Sequence, residues 1–244
     1  MSTSQPGAAT EDEMSGAYPP GVEHHYWTVA RNQLLLSELR RHRAHRGVVL
    51  DVGCGPAIVV GHLRAHGVDC YGVDPNAPAL AREQLVPWVR TTTSAFELPA
   101  DFRASVSTLL LMDVLEHIEQ PVEFLEQCHS AFPHASHLFV TLPARMEIWS
   151  NWDERYGHYR RYTLESLQSE VNASPWHLVE ARYWFRALYA AARAHKWLGG
   201  QRSVALESPR RLFFHRAVAA ALIGEARFLP LQLPGSSVFA VLAR

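Results

Sequence analysis

The sequence predicts an α/β protein with a Rossmann-like, doubly wound sheet of seven mostly parallel strands and helices on both faces. The chain has 244 residues, 48% of them hydrophobic, which is enough for one substantial core. Short apolar runs alternate with amphipathic stretches along most of the chain, as parallel strands alternate with crossover helices. A turn with two glycines follows the first apolar run, at the sheet edge where such folds bind ligands.

The elements are predicted in order from a first helix at residues 25–43, whose leucines have the spacing of an amphipathic helix. Short apolar runs predict seven strands, at 47–51, 69–74, 88–92, 104–112, 137–143, 176–185 and 236–244. Further helices are predicted at 58–67, 78–85, 121–132, 186–199 and 209–224. Pro121 suits the first turn of its helix, and Thr163 is the expected N-cap of one more helix.

The last two predicted helices, 186–199 and 209–224, are rather apolar and stand outside the strand–helix alternation. They form a helical cap or insertion in the C-terminal part of the fold. Core packing, a cap over a substrate site and the face of a homodimer are all consistent with their composition.

The domain organisation follows from composition. Residues 1–20 are polar and acidic and predict a disordered tail, and residues 21–244 form a single domain. Within that domain, 21–143 is the cofactor-binding half and 144–244 holds a lid, the cap helices and the last strands. The aromatic, charged segment 144–163 breaks the alternation and predicts the lid or a binding loop.

Net charge and cysteine usage limit the partners and the setting. The formal charge is −1, so no overall field attracts nucleic acid or anionic lipid, and a small, roughly neutral substrate fits better. Three irregularly spaced cysteines favour a reducing cytoplasm over a disulfide framework. No apolar run approaches the roughly 18 residues that predict a membrane span.

The turn after the first strand carries the strongest functional signal. Asp51, Gly53 and Gly55 end a buried strand and precede a helix, and the glycines let the backbone approach a ligand closely. The alternative is a tight turn that needs glycine only for its conformation. Asp74 ends the second strand, where a nucleotide-binding unit places its ribose-binding acid, although an acid in a solvated turn is the simpler interpretation of Asp74 alone.

Two common nucleotide motifs are missing. Ile58 stands where the dinucleotide fingerprint GxGxxG needs its third glycine, and no GxxxxGK[ST] sequence occurs. The remaining interpretation is a nucleoside-type cofactor without a pyrophosphate.

These ordered motifs resemble the class I S-adenosylmethionine-dependent methyltransferases over roughly residues 25–244: VVLDVGCGPA resembles their first motif, YGVDPN their acidic ribose motif and LLLMDVLEHIEQP their fourth-strand motif. The resemblance implies S-adenosylmethionine as cofactor and S-adenosylhomocysteine as product. The implied cofactor-binding residues are Asp51, Gly53, Cys54, Gly55, Asp74, Pro75, Ser94, Ala95 and Met112. The glycine turn would pack against the methionine part, Asp74 would hold the ribose, Ser94 and Ala95 would border the adenine, and Met112 would lie beneath.

The chain departs from that family pattern at two positions. Ala57 replaces a third glycine that many relatives have, which is a small change. Ser94 stands where many relatives have an acid near the adenine amine, so it offers a hydroxyl acceptor without charge.

Two more segments, HYWTVARN (25–32) and DERYGHYRRYT (153–163), resemble a subgroup of bacterial small-molecule methyltransferases, and the C-terminal PGSSVFAVLAR also fits. The resemblance suggests that the acceptor contacts Tyr26, Trp149, Tyr159 and Arg160. The resemblance indicates the subgroup more clearly than it indicates the substrate.

Methyl transfer from a sulfonium is an in-line displacement, so the protein mainly aligns the acceptor, and only a weak acceptor such as a hydroxyl needs a base. His158 in the lid is the first candidate for that base and His117 the second. Alternatively, His158 hydrogen-bonds the loop while Arg160 or Arg161 pairs with Asp153 or Glu154, or these arginines bind an acidic group of the substrate or cofactor.

Asp113, Glu116 and His117 in the DVLEHI segment are a second constellation. The segment resembles ubiquinone-pathway O-methyltransferases, whose acids and histidine bind a divalent cation, and a magnesium-like site is therefore conceivable here. The simpler expectation is that no metal binds and that these residues fix the loop at the pocket edge.

Three functions compete. The first is a methyltransferase that acts on a small molecule, such as a secondary metabolite or biosynthetic intermediate. The second keeps the cofactor for a different reaction, such as cyclisation, and the third is a catalytically silent scaffold. The retained Asp51, Gly53, Gly55 and Asp74 argue against the silent scaffold.

Overall fold

The protein folds around one seven-stranded sheet. The computed structural model describes residues 18–75, 83–90, 94–200, 208–230 and 233–244. The strands are β1 (Val48–Val52), β2 (Cys70–Val73), β3 (Val89–Arg90), β4 (Val106–Met112), β5 (His137–Pro143), β6 (His177–Trp184) and β7 (Ser237–Ala243). They lie in the order β3-β2-β1-β4-β5-β7-β6, and β7 is antiparallel to both of its neighbours. The predicted doubly wound, mostly parallel sheet is therefore confirmed.

The described α-helices are α1 (Tyr26–Arg41), α2 (Ile58–Ala65), α3 (Ala100–Ser105), α4 (Pro121–Ala131), α5 (Asn151–Arg155), α6 (Leu164–Asn172), α7 (Arg186–Trp197) and α8 (Leu212–Phe228). Pro121 occupies the first turn of α4 as predicted, since its missing N–H costs nothing there. Thr163 is the predicted N-cap of α6, and its hydroxyl accepts from the Ser166 backbone N–H at 3.1 Å. None of the described helices is both long and apolar enough to cross a bilayer.

A hydrophobic core lies on each face of the sheet. On one face, leucines of α1 and α2 pack with Phe139 and with Trp184, whose ring stacks on Phe239 at 4.3 Å between centroids. On the other face, Leu125 of α4 and Leu167 of α6 are fully buried. The apolar faces that predicted the helices and the strands thus pack against each other and form these two cores.

The inner side of α8 belongs to the first of these cores. Ala219, Leu222 and Ala226 are buried there, and α8 packs along α1. Core packing is thus one role of the apolar C-terminal helices, and it accounts for one side of α8.

Except for the strand 137–143, the predicted bounds differ from the structure, most of them by one or two residues, and the helix predicted at 209–224 lies at Leu212–Phe228. Residues 104 and 105 end α3, so the predicted strand 104–112 begins two residues later, at Val106. The predicted helix 78–85 falls partly on residues outside the described chain, and Glu83–Trp88 form a 3-10 helix that contains Pro87. Of the predicted strand 88–92, Val89 and Arg90 form β3, residue 88 ends the 3-10 helix, and 91 and 92 lie outside the description.

The predicted tail is only partly described, whereas the predicted lid is described in full. Residues 1–17 of the tail lie outside the described chain, whereas 18–20 are described. The lid segment 144–163 contains α5 and a 3-10 turn at Met146–Ile148, and an isolated bridge joins Ala144 to Tyr162 at its two ends. The lid is therefore a closed loop over the ends of β4 and β5.

Candidate active site

The glycine turn lies at the carboxyl end of β1, between β2 and β4, where the strand order of the sheet reverses. Gly53 has a φ of 75°, and a Cβ there would come within 2.9 Å of the Val114 side chain. Its N–H donates to the Val73 carbonyl at 2.8 Å, and the Gly55 N–H donates to the Asp74 carboxylate at 3.1 Å. Asp74 therefore fixes the turn from the end of β2, so the two predicted motifs form one structure.

Ala57 ends this turn and begins α2 in the left-handed backbone region. Its φ is 61° and its side chain is fully buried. A non-glycine residue pays a steric penalty there, because its Cβ crowds the carbonyl oxygen. Ala57 thus adopts the left-handed backbone conformation that glycine favours, at the position where many relatives have glycine.

Asp51 presents an unpaired carboxylate oxygen to the pocket beside this turn. The residue is 2% exposed, and its Oδ1 has no hydrogen-bond partner in the described part of the chain. Burial raises the pKa of Asp51 to about 7, although the nearby Arg31 opposes the rise. An unpaired buried acceptor is costly, so the geometry fits a ligand that brings a positive donor.

Arg31 of α1 reaches the same pocket and was not among the residues predicted from the sequence. Its guanidinium donates to Asp113 Oδ2 at 2.7 Å and lies over the Trp27 ring, 4.5 Å from the centroid. Tyr18, which falls within the predicted tail, also lines the pocket. The one feature of the sequence that could have indicated Arg31 is a basic side chain near the start of an apolar helix. Nothing in the sequence distinguished Tyr18.

The predicted cofactor residues are brought together only in part. Asp51, Gly53, Cys54 and Met112 line the pocket with Arg31, and Met112 lies there because it ends β4 beside β1.

The predicted adenine and ribose neighbours lie outside that lining. The Ser94 hydroxyl accepts from the Phe96 N–H at 3.2 Å and caps the 3-10 helix Ala95–Glu97, of which Ala95 is buried. Pro75 is exposed, and residues 76–82 after it are outside the description.

A second cluster lies on the loop after β4 and in the lid. One ligand-type atom each from Glu116, His117 and His158 lies within 4.8 Å of the other two. Burial lowers the pKa of His117 to about 4, and the neighbouring His158 adds to that shift. Burial and Asp113 raise the pKa of Glu116, whose Oε2 has no partner in the described chain. Asp113, predicted with this cluster, is instead paired with Arg31.

Asp153 organises the lid. Its carboxylate is fully buried and accepts from Arg161 Nε at 2.7 Å, Arg161 Nη2 at 3.0 Å and the His158 ring at 2.9 Å. Although burial alone would raise the pKa of Asp153, the hydrogen bonds from His158 and Arg161 hold it below its ordinary value. Of the predicted pairings, the structure shows Arg161 with Asp153, and His158 bonded to a carboxylate rather than to the loop backbone.

The predicted acceptor contacts spread around this cluster. The Tyr159 N–H donates to the Glu116 carbonyl at 2.8 Å, and its half-exposed ring lies near the Arg160 guanidinium. Arg160 donates to the Glu119 carbonyl at 2.8 Å. The indole N–H of Trp149 donates to the Glu154 carboxylate at 3.4 Å, and the Trp149 carbonyl accepts from the Lys196 ammonium at 3.0 Å.

Tyr26 lies apart from the lid residues, at the start of α1. Its ring stacks on His215 of α8 with 5.6 Å between centroids. The structure therefore joins α8 to the helix that carries Arg31.

Comparison with known proteins decides the family, because the methyltransferase domain family matches residues 24–181, well over half of the chain. The chain belongs to that family. The match confirms the resemblance at the level of the S-adenosylmethionine-dependent methyltransferases, and with it the cofactor.

Two curated relatives cover part of the chain. Ubiquinone biosynthesis O-methyltransferase of Pectobacterium atrosepticum is 28% identical over 111 residues, which are 41% of this chain and 45% of the relative. The enzyme of the same name from Chromobacterium violaceum is 29% identical over 104 residues, 40% of this chain and 45% of the relative. The matches thus span less than half of the relatives' length.

Solved methyltransferase structures have the same fold. A putative sarcosine dimethylglycine methyltransferase from Galdieria sulphuraria has a TM-score of 0.54 at 13% identity, covering 88% of this chain and 86% of that one. The plantazolicin methyltransferase BpumL, solved with a substrate analogue and S-adenosylhomocysteine, has a TM-score of 0.54 at 14% identity, covering 96% and 88%. At such identities the likeness shows the fold alone.

Proposed function

We propose that the protein transfers a methyl group from S-adenosylmethionine to a hydroxyl of a small-molecule acceptor. The observation that carries the proposal is the buried, unpartnered Asp51 carboxylate beside the glycine turn. It supports a ligand with a cationic donor, and the amino-acid part of S-adenosylmethionine has one. The family match supports the reaction class, and the relatives named O-methyltransferase favour oxygen as the acceptor atom.

The pocket residues suit the separate parts of that cofactor. Asp51 would accept from its ammonium group, and Arg31 has further N–H donors for its carboxylate beyond the one given to Asp113. Asp74, which accepts the Gly55 N–H at Oδ2, would also bind the ribose hydroxyls. When bound, the sulfonium supplies an activated methyl group, and the chain aligns the acceptor and excludes water.

The pair of Asp153 and His158 would activate the acceptor hydroxyl. The carboxylate of Asp153 fixes the orientation of the His158 ring through a 2.9 Å hydrogen bond to Nδ1, which leaves Nε2 to take the hydroxyl proton. Asp153 also pairs with Arg161, so it stays ionised while it supports an imidazolium. His117, neutral at physiological pH because of burial, lies with its ring 4.7 Å from that of His158 and is the second candidate base.

The same cluster also suits a divalent cation, a second candidate favoured by the unpartnered Oε2 of Glu116. Oxygen and imidazole ligands from Glu116, His117 and His158 lie close together, and Asp153 behind His158 matches the carboxylate that commonly supports a metal-bound histidine. Such a cation would supply Lewis acidity that lowers the pKa of an acceptor hydroxyl.

The acceptor is proposed to enter between the lid and the start of α1, which would place it near Tyr159, Trp149, Arg160 and Tyr26. The cyclisation and silent-scaffold alternatives receive less support, because Asp74 holds the glycine turn and a carboxylate orients the ring of His158.

The experiment that tests this function is S-adenosylhomocysteine release with a panel of phenolic, catechol and aliphatic hydroxyl acceptors. We expect turnover with at least one hydroxyl acceptor, a loss of roughly 100-fold or more in kcat for His158→Ala, and little change for the exposed His134→Ala. Removal of metal with a chelator separates the two accounts of the cluster. Activity lost to the chelator and restored by Mg²⁺, Mn²⁺ or Zn²⁺ supports the cation, and unaffected activity supports the Asp153–His158 base. Turnover unchanged in His158→Ala contradicts both.

A further inference from the structure

The outer side of α8 exposes large apolar side chains to solvent. Phe213 is 87% exposed and Phe228 is 85% exposed, one near each end of the helix. Phe228 follows Phe213 by fifteen residues, or just over four helical turns, so the two side chains lie about 60° apart around the helix axis and about 22 Å apart along it. Ala217 and Ala220, also exposed, lie between them on that side. A helix that is apolar on its inner and its outer side needs a second apolar partner.

The exposed charged residues within the described segment 208–230 are all positive. Arg216 and Arg227 are exposed on α8, and Arg210 and Arg211 precede it. Glu225 is the sole acid in 208–230, and its carboxylate turns inward to accept the backbone N–H groups of Arg186 at 2.6 Å and Ala187 at 3.0 Å. The outer face of α8 therefore combines phenylalanine, alanine and arginine without acid.

The same asymmetry extends over the whole C-terminal insertion. Residues 186–230 contain eight arginines or lysines and two acids, a charge of +6, which leaves −7 for the rest of a chain whose total is −1. Trp197, at the end of α7, is 86% exposed, and α7 packs against α8. The near-neutral total thus conceals a basic, aromatic surface.

The inner side of α8 contacts the start of α1. His215 of α8 accepts the Tyr26 N–H at 3.1 Å, and Tyr26 begins the helix whose Arg31 lines the cofactor pocket.

We propose that the outer face of α8 lies on an anionic lipid bilayer surface, with Phe213 and Phe228 inserted at the interface and the arginines against lipid phosphates. Aromatic side chains with flanking arginines are the composition of helices that lie in the plane of a membrane surface. Each arginine near an anionic surface adds to the affinity, and salt weakens it.

A second copy of the chain fits this face less well than lipid does. In a two-fold dimer the same patch meets itself, so Arg216 and Arg227 would face other arginines with no acid on the patch to pair them. An anionic bilayer offers both the apolar layer and the opposite charge.

Co-sedimentation with vesicles tests the proposal. We expect the full chain to sediment with phosphatidylcholine vesicles that contain phosphatidylglycerol and to remain in the supernatant with phosphatidylcholine alone. The double variants Phe213→Ser/Phe228→Ser and Arg216→Gln/Arg227→Gln should each weaken vesicle binding roughly tenfold or more. The control for the arginine variant is Arg43→Gln/Arg46→Gln, which makes the same charge change beyond the end of α1. The control for the phenylalanine variant is Val179→Ser, which removes an exposed apolar side chain from β6. Both controls should bind vesicles as the unchanged chain does.

Unchanged cofactor affinity in each variant shows that the fold is intact. Failure to sediment with either kind of vesicle would overturn the proposal, as would equal binding to both kinds. It would also be overturned by a dimer in solution that Phe213→Ser/Phe228→Ser converts to a monomer, because a second copy would then cover the face.

Discussion

Asp51 shows how a single residue can carry an energetic cost that a ligand removes. Its Oδ1 is buried at the end of β1 and has no hydrogen-bond partner in the described chain. Arg31 stands nearby but uses a donor for Asp113. The site is thus prepared for a charged ligand before one arrives, which is the condition for selective binding.

The raised pKa of Asp51 predicts a pH-dependent affinity for S-adenosylhomocysteine. With a pKa of about 7, the carboxyl is mostly protonated below that pH and ionised above it, and only the ionised form attracts an ammonium group. The affinity should therefore rise by roughly 25-fold between about pH 5.5 and about pH 7.5. Isothermal titration at several pH values measures it, with Asp51→Asn as the control, in which the affinity is lower and the pH dependence is gone. The same pH dependence in Asp51→Asn would assign the titration to another group.

Ala57 predicts a stability gain at a residue that a family comparison would treat as a neutral change. Its φ of 61° costs an alanine more than a glycine, so Ala57→Gly should stabilise the fold by about 1 kcal/mol. Ala194→Gly, at an exposed helical position in α7, is the matched control and should destabilise by about the same amount. Thermal unfolding measures both. A lower melting temperature for Ala57→Gly would show that the alanine methyl group contributes more packing than its backbone costs.

At the scale of elements, the strands and most helices were predictable because burial imposes periodicity on sequence. The strand 137–143 was predicted with the bounds that the structure gives it, and Thr163 and Pro121 marked helix starts through local chemistry that does not depend on the rest of the fold. The short helix Ala100–Ser105 was missed because it merges with the apolar run of β4 and has no buried residue to mark a face. Lid geometry was beyond prediction, because several acids and arginines there could pair in more than one way.

The lid predicts a large stability effect at Asp153. Removal of its carboxylate leaves the Arg161 guanidinium, 8% exposed, without its charge partner, and broken buried ion pairs typically cost about 3–5 kcal/mol. Asp153→Ala should lower the melting temperature markedly and weaken activity with it. Glu165→Ala removes an acid of the same region at the start of α6, where it is not a partner of Arg161, and should leave thermal unfolding nearly unchanged. Equal melting temperatures for Asp153→Ala and Glu165→Ala would show that the pair does not hold the lid.

At the scale of the whole molecule, the site forms only where distant parts of the chain meet. Asp51 and Asp74 come from neighbouring parallel strands, Arg31 from the helix before them, and His158 from the lid after β5. The sequence predicted the first two because a motif joins them. It did not predict Arg31 or Tyr18, since contacts between separate segments leave no spacing signal in a single sequence.

The charge distribution belongs to the same scale. The total of −1 predicted no attraction to anionic lipid, yet the basic residues concentrate in the insertion that carries α7 and α8. The total charge of a chain therefore does not predict which ligands a single surface attracts, because that attraction depends on the local charge of the surface.

The central claim is that this pocket binds S-adenosylmethionine, and isothermal titration tests it most directly. The purified chain and its Asp51→Asn variant are titrated with S-adenosylmethionine, S-adenosylhomocysteine and NAD. The account predicts micromolar binding of the first two by the unchanged chain, no binding of NAD, and affinity at least roughly tenfold weaker in the variant. A folded chain that binds neither S-adenosylmethionine nor S-adenosylhomocysteine would contradict it.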